Sequence, residues 1–396
     1  LKWRFTIFEV LVLIGIVQGA VIAGLIWLHK IRNLNKLLLS FVIVVFNCLC
    51  IKILIHTTGL WQTQAFRYLP LAFDLAIQPL LWLYTLSLTQ PGLKLSKKHA
   101  LHFIPFAISL AYSIGVYIVV LPVKDLAAKD VIANRLYFNE VKETEDILSI
   151  VLALVYWVLS LRLVVRYRRW LNNNISDTGY PIYSWLKNTL FLLGVLIAAL
   201  AVSIILDRFF QYGGRYFIHW QLFFGYLSVL IYYLGFRGYL LQDKQMTVLA
   251  QAPIADSTLP DVTEELPVDV TVKGMQLTEG KSKRAHHAIL EALEARKLYL
   301  DPELSVQKLA KEVNMPVAIV SAVINHSFRK TFRNLINDYR VEEVKARLRD
   351  PRSSRFSILG IAYECGFNSE ASFYRIFKAS VGVSPKEYFH QQFPDA

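Results

Sequence analysis

Charge is scarce in this chain. Asp, Glu, Lys and Arg make up only 18% of its 396 residues, where an ordinary soluble domain carries about a quarter. With 55% hydrophobic residues and a mean hydropathy of +0.39, it is more apolar than a soluble core requires. Cysteine is rarer still: Cys48, Cys50 and Cys365 have neither the number nor the spacing for a disulfide framework or a metal cluster. Cys48 and Cys50, two apart on an apolar run, point to different helix faces and read as small buried hydrophobes. An HExxH pair, a Walker loop, a GxGxxG fingerprint and a GxSxG elbow are all missing. That removes the motif-based reasons to propose an enzyme, a cofactor or a bound metal, and none is expected.

What is present divides by position. Acids are outnumbered, and the net charge of +13 points toward an anionic partner such as nucleic acid or a lipid surface. Seven apolar runs occupy the first 241 residues, at about 7–28, 37–55, 68–88, 100–121, 147–166, 188–206 and 217–236. Each is close to the ~20 residues that cross ~30 Å of hydrocarbon as a helix. Leu192–Leu206 (LLGVLIAALAVSIIL) has no polar stripe of the kind a soluble helix shows every turn. The third run is interrupted by Pro70, Asp74 and Pro79. Lys2 and Arg4 imitate the start of a signal peptide, but the run behind them continues to Leu28, so a retained span is expected. The reading is an all-α chain: a seven-span transmembrane bundle, 1–241, in a lipid bilayer.

An odd number of spans puts the termini on opposite sides. Placing the C-terminus inside gives the inner connections Lys30, Arg32 and Lys36, then Lys94, Lys97 and Lys98, then Arg166, Arg168, Arg169 and Lys187. The longest outer connection, Pro122–Asp146, is rich in acids as well as bases, and Lys2 and Arg4 count against this orientation. The basic bias is modest and favours N-out, C-in. Residues 242–280 change character: seven acids outnumber Lys244 and Lys273, and Pro253, Pro260 and Pro267 interrupt any helix. This is a linker, reaching roughly 35 Å as a flexible coil. From Lys281 the chain reads as a soluble, all-helical domain, 281–396.

That domain contains a repeat. Val306, Leu309, Ala310 and Val313 lie on one helix face, and Ile358, Ile361, Ala362 and Cys365 reproduce the spacing. Each set is followed by a residue suited to positive φ, Asn314 and Gly366, and then by a second helix. The inward positions of the second helices are Val320, Val323 and Ile324, and Phe373, Ile376 and Phe377. This is a helix-turn-helix, twice. Between the units, Phe332, Leu335, Ile336 and Tyr339 mark a long helix reaching to about Leu348. A helix of that size, ~30 Å, can hold two readers apart on major-groove faces ~34 Å apart. Ser384-Pro385-Lys386-Glu387 is a capping box with proline at the first helical position.

The stretch IAYECGFNSEASFYRIFKASVGVSPKEYF (Ile361–Phe389) resembles the signature of AraC/XylS-type transcription regulators. The resemblance covers roughly residues 284–390 and none of the apolar zone. It implies binding of double-stranded promoter DNA, with Glu370, Ala371, Ser372, Tyr374 and Arg375 presented by the second recognition helix. Arg375 suits bidentate pairing with guanine, Ser372 a base edge or phosphate, and Lys378 a phosphate. The family often has polar or basic residues where the first unit has Ala318 and Ala322, which leaves Ser321 and Asn325 as its polar readers. A glycine common in the family after the first recognition helix is here Arg329.

Ionisable groups inside an apolar bundle are costly and become functional candidates. Asp74, Gln78, Lys52, His56 and His219 are the candidate ligand-sensing residues, with Asp74 and Gln78 expected one turn apart on one helix. Glu9 and Asp207 stand near span ends, where a lipid–water interface accounts for them, as it does for Trp27 and Trp61. Gly15, Gly19 and Ala23 form a small-residue ridge suited to packing within the bundle or to a homodimer. The leading expectation is a membrane-embedded one-component regulator that senses a small-molecule or envelope signal. Alternatives are a membrane receptor or transporter with a protein-interaction tail, and an intramembrane enzyme using Asp74 and His219.

Overall fold

The structure is a computed structural model and describes residues 5–28, 33–90, 92–176, 181–210, 217–240, 279–350 and 356–392. Among them are 16 α-helices and no β-strand. Contacts divide the chain into two units, 1–165 with 184–251, and 166–183 with 252–396. The linker expected over 242–280 lies outside the described residues except for Glu279 and Gly280, which open a helix.

In the first unit a helix stands at each of the seven apolar runs. These are α1 (Ile7–Leu28), α2 (Leu34–Thr57), α3 (Ile77–Thr89), α5 (Ile104–Val120), α7 (Phe138–Asn174), α8 (Pro181–Phe210) and α9 (Ile218–Leu240). From Arg166, α7 belongs with the second unit. Short helices α4 (Lys97–Leu101) and α6 (Leu126–Arg135) lie between them. Four helices, α1, α2, α7 and α8, are long and apolar enough to cross a membrane. The other three fall short for local reasons. With 13 residues α3 extends only ~20 Å, and with 17 α5 extends ~26 Å. In α9, tyrosines, glycines, His219 and Gln221 dilute the hydropathy. The shortness of α3 is the work of prolines: residues 69–73 after Tyr68 are not helical, and Pro79 is tolerated in the first turn, where an amide N–H has no partner to lose.

The small-residue ridge of α1 is used inside the unit. A Cβ on Gly15 would stand 2.9 Å from Ser228 Cβ of α9, and one on Gly19 2.6 Å from Asn47 Oδ1 of α2. Asn47 Nδ2 donates to the Ile16 carbonyl at 3.1 Å, and Trp27 Nε1 to Ser40 Oγ at 2.8 Å. Such close backbones gain dispersion contacts. The outward faces remain apolar: Ile7, Ile14 and Val17 on α1, Ile108 and Ile118 on α5, and Phe191 and Val202 on α8 are all exposed. An apolar surface this extensive is foreign to soluble monomers.

The connection 122–146, the longest of those expected outside, is helical through much of its length. Asp125 caps α6 by accepting from Ala128 N at 2.9 Å, and the first turns of α7 follow at once. Arg67 grips Asp130 of α6 through Nε and Nη2 (2.9 and 2.7 Å), and Tyr68 Oη donates to the same carboxylate at 2.8 Å. Buried Lys129 donates to the Gln64 carbonyl at 2.6 Å.

In the second unit, α10 (Glu279–Glu294) precedes two helix-turn-helix pairs. They are α11 (Val306–Glu312) with α12 (Val317–His326), and α14 (Ile358–Glu364) with α15 (Glu370–Val381). Between them runs α13 (Phe332–Arg349), and α16 (Pro385–Gln392) follows. The long helix serves two cores. Phe332, Leu335 and Ile336 join Leu309, Val320 and Val323 in one, while Val341, Val344 and Leu348 join Ile361, Phe373 and Phe377 in the other. Its 18 residues extend ~27 Å.

Candidate nucleic-acid interface and ligand cavity

The two helix-turn-helix turns share one hydrogen-bond scheme. In the first, Val313 N donates to Leu309 O, Asn314 N to Lys311 O and Met315 N to Ala310 O (3.0, 3.1 and 2.9 Å). In the second, Cys365 N donates to Ile361 O, Gly366 N to Tyr363 O and Phe367 N to Ala362 O (3.0, 3.0 and 3.1 Å). Asn314 and Gly366 take the positive φ that ends the helix, +52° and +90°. The first helix of each pair is capped alike, Ser305 Oγ accepting from Lys308 N and Ser357 Oγ from Gly360 N. The second turn is one residue longer, and Ser369 caps α15 by accepting from Ser372 N at 3.4 Å. The expected capping box is present: Ser384 N donates to Glu387 Oε2 at 2.8 Å and Glu387 N to Ser384 Oγ at 3.2 Å.

Behind the second unit lies a buried cation. Arg340 is 1% exposed, and its Nε and Nη2 each donate at 2.8 Å, to the carbonyls of Tyr299 and Asp301. Its Nη2 also lies 3.2 Å from Ser176 Oγ, which donates to the Leu304 carbonyl at 2.6 Å. Charge-assisted bonds of this kind offset the desolvation of the guanidinium. Arg340 stands one turn from both Ile336 and Val344, so the period of the helix puts it on the inward face, but nothing in the local sequence names its partners.

Of the residues the resemblance assigns to DNA, Glu370, Ala371, Arg375 and Lys378 are exposed on α15 and Tyr374 is half-buried. Ser372 is 8% exposed and does not share that open face. On α12, Asn325 is exposed, Ser321 half-buried and Ala322 buried. Arg375 and Lys378 form no hydrogen bond or ion pair among the described residues, so both heads are available to an anion. Arg329 adopts φ +51°, which explains why a glycine suits that position in the family.

In the first unit, Lys52, His56, Asp74 and Gln78 line one cavity of ≈ 300 Å³. Lys52 Nζ is 3.0 Å from Asp74 Oδ2. Asp74 lies in the turn ahead of α3, so it does not share a helix with Gln78 as expected. Gln78 Nε2 donates to the Ser149 carbonyl at 3.4 Å. His219 is not on the wall; its Nε2 is 2.8 Å from Asp207 Oδ1, while Trp220 Nε1 donates to Asp207 Oδ2 at 2.6 Å. Trp220 does line the cavity, so the Asp207–His219 pair sits behind a wall residue. Glu9 is a helix cap, with Thr6 N donating to its Oε2 at 2.8 Å and Glu9 N to Thr6 Oγ1 at 3.3 Å.

The sequence reading missed Asp146, Ser149, Trp157 and Trp220 on this wall. Asp146 carried a usable signal: an acid adjoining an apolar run, at the level of Lys52. Among the described residues no group of His, Cys, Asp or Glu is placed to hold a metal ion.

A helix-turn-helix domain family model matches residues 309–391. The melibiose operon regulatory protein of Escherichia coli K12 is 31% identical over 88 residues, 22% of this chain and 28% of that protein. Its counterpart in E. coli O6:H1 matches to the same extent. The chain thus spans under a third of the length of these curated relatives. No solved structure matches. Residues 309–391 are an AraC-type helix-turn-helix domain, which points to DNA-binding transcription regulation.

Proposed function

We propose that the chain is a membrane-embedded one-component transcription regulator. Residues 1–241 lie in the bacterial inner membrane, N-terminus outside, and respond to a small-molecule or envelope signal. Residues 281–396 bind promoter DNA sequence-specifically on the cytoplasmic side, with a homodimer doubling the sites read. One observation carries the DNA half: a duplicated helix-turn-helix whose second reading helix holds Arg375 and Lys378 exposed and, among the described residues, unpaired. The four long apolar helices and their exposed apolar faces support the membrane half. The cavity holding Lys52, His56, Asp74 and Gln78 is the natural seat for the signal, since concave, mostly apolar sites with a few converging polar groups are where small ligands bind.

The experiment is genome-wide mapping of the DNA occupied by the full chain in cells, beside Arg375→Ala. Discrete promoter sites that weaken in the variant are expected; occupancy indistinguishable from background ends the proposal. Topology is read from a fusion after Ala396, where a reporter active only after export contradicts it. Sensing is read from a promoter reporter with Ala153→Trp, which fills the cavity. The variant should lose the response to whichever growth condition moves the wild type, and an unchanged response removes the cavity from sensing.

A further inference from the structure

The cavity's polar wall is unbalanced in one direction. Among the described residues Lys52 is the one lysine or arginine on it, and it is engaged by Asp74 at 3.0 Å. Asp146 lines the same wall and interacts electrostatically with Lys52, yet its carboxylate has no hydrogen-bond or ion-pair partner among the described residues. The neighbouring charges do not supply one. Glu145 is taken by Lys142 at 2.6 Å, and Arg67 by Asp130. With Lys52 and Asp74 cancelling, one carboxylate remains in excess.

Gln78 points to the same need. The residue is 8% exposed, and its Oε1 is buried without a partner among the described residues. The amide cannot be turned to relieve this, because its Nε2 must face the Ser149 carbonyl, an acceptor only. Ser149 Oγ already donates to the Asp146 carbonyl at 2.8 Å. Two unfilled groups on the wall can only accept, Gln78 Oε1 and the anionic Asp146 carboxylate, while His56 and Ser160 can each donate or accept. The buried Gln78 Oε1 is unfavourable until a donor arrives, and the Asp146 carboxylate, itself exposed, lines the same cavity as an unpaired charge. Apart from His56, Tyr156 and Ser160, the remaining wall is apolar and aromatic, with Leu49, Ile53, Leu81, Leu193, Trp157 and Trp220.

We infer that this cavity binds an amphipathic protonated amine, its N–H donors on the Asp146 carboxylate and Gln78 Oε1 and its hydrocarbon body among the leucines and tryptophans. The inference rests on the reading of this cavity as the signal site and names the chemistry of the signal. A quaternary ammonium would satisfy the charge but leave Gln78 Oε1 unfilled. A carboxylate would meet an excess of its own sign.

The test uses the full chain in nanodiscs of zwitterionic lipid at neutral pH, with radiolabelled octylamine as the probe. Protein-free nanodiscs correct for partition, and octanol and octanoate serve as competitors. Saturable binding is expected, with octylamine at least roughly tenfold tighter than octanol, the worth of a hydrogen bond to a charged group. Octanoate should be weaker still. Asp146→Asn should abolish the preference for amine over alcohol while leaving octanol binding intact. Gln78→Leu, which adds no charge, should weaken the amine more than octanol, whose single O–H donor need not be spent on Gln78. Octanoate competing as well as octylamine, or a preference that survives both substitutions, overturns the amine assignment and leaves sensing in place. Absence of saturable octylamine binding also overturns it. Failure of the sensing reading itself shows separately, as an unchanged reporter response in Ala153→Trp.

Discussion

Lys52 on α2 and Asp74 in the turn before α3 form an ion pair, Nζ to Oδ2 3.0 Å, on the wall of a cavity in an otherwise apolar helical unit. The pair joins two elements that the chain separates by a turn of 3₁₀ helix and a non-helical stretch. It places both charges beside Asp146 and Gln78 without neutralising the wall. Breaking such a pair from one side is costly because the other charge stays behind; removing both is not. The side chains are 38% and 29% exposed, so the effect is smaller than for a sealed pair. Lys52→Met should destabilise the first unit by about 1–3 kcal/mol, and Lys52→Met with Asp74→Leu should recover most of it. Thermal unfolding of the two variants in nanodiscs checks this.

Gly366 and Gly382 make a controlled comparison. Both have φ near +90°, but a Cβ on Gly366 would stand 2.6 Å from the Tyr299 carbonyl, and one on Gly382 would meet nothing within 4 Å. Gly382→Ala should cost about 1 kcal/mol, the left-handed penalty alone. Gly366→Ala should cost more, since a backbone carbonyl cannot move aside as a side chain can. Equal losses in chemical unfolding would refute the close-approach account.

Arg329 is the converse case. It is exposed at φ +51°, where a non-glycine residue is strained. Arg329→Gly should therefore be neutral or stabilising by about 0.5–1 kcal/mol, despite glycine's usual cost to the fold. A clear loss of stability would show that the arginine has a structural role of its own.

Glu343 ties the second unit together and gives it an acid limit. Its Oε2 accepts from Lys297 Nζ and Tyr299 Oη, both at 2.9 Å, and its Oε1 from Arg347 Nε at 3.1 Å. Burial works to raise the carboxyl, but these bonds outweigh it and hold it below its ordinary 4.5. A carboxyl held low in the fold contributes fully above its unfolded value, and the contribution fades as pH falls through the folded one. Glu343→Gln should cost about 1 kcal/mol at pH 7, with the gap to wild type closing in the window below about pH 4.5. Hydrogen exchange of the α13 amides, corrected for intrinsic rates, measures both ends.

On DNA the two exposed cations of α15 should part company. Arg375→Ala should weaken a mapped site by about 1–3 kcal/mol and relax its sequence preference, as loss of a bidentate base contact does. Lys378→Ala should weaken all sequences alike and reduce the salt slope by about 1. Titrations at several salt concentrations separate the two outcomes.

The duplicated reader was legible in the chain because everything that defines it is local. Helix faces at i, i+3, i+4 and i+7, serine caps and a positive-φ residue at each turn act within one or two helical turns. The reciprocal bonds of Ser384 and Glu387 are local in the same way. The apolar runs were legible as helices, but their lengths were not. The backbone constraints at Pro70 and Pro79, not hydropathy, decide where α3 begins.

The cavity was only half legible. An ionisable residue in an apolar run announces itself, so Lys52, His56, Asp74 and Gln78 could be singled out one by one. Which of them meet is another matter. Composition could not separate His219, paired behind the wall with Asp207, from Asp146 on it; nor could periodicity place Ser372 inside, or Arg340 beneath the carbonyls of Tyr299 and Asp301. The amino-acid order by itself determined an apolar helical half and a two-fold helix-turn-helix half, because hydrophobic periodicity and capping are short-range forces. Tertiary structure alone decided which charges are matched and which acceptors are left open, because that balance is struck between side chains many tens of residues apart.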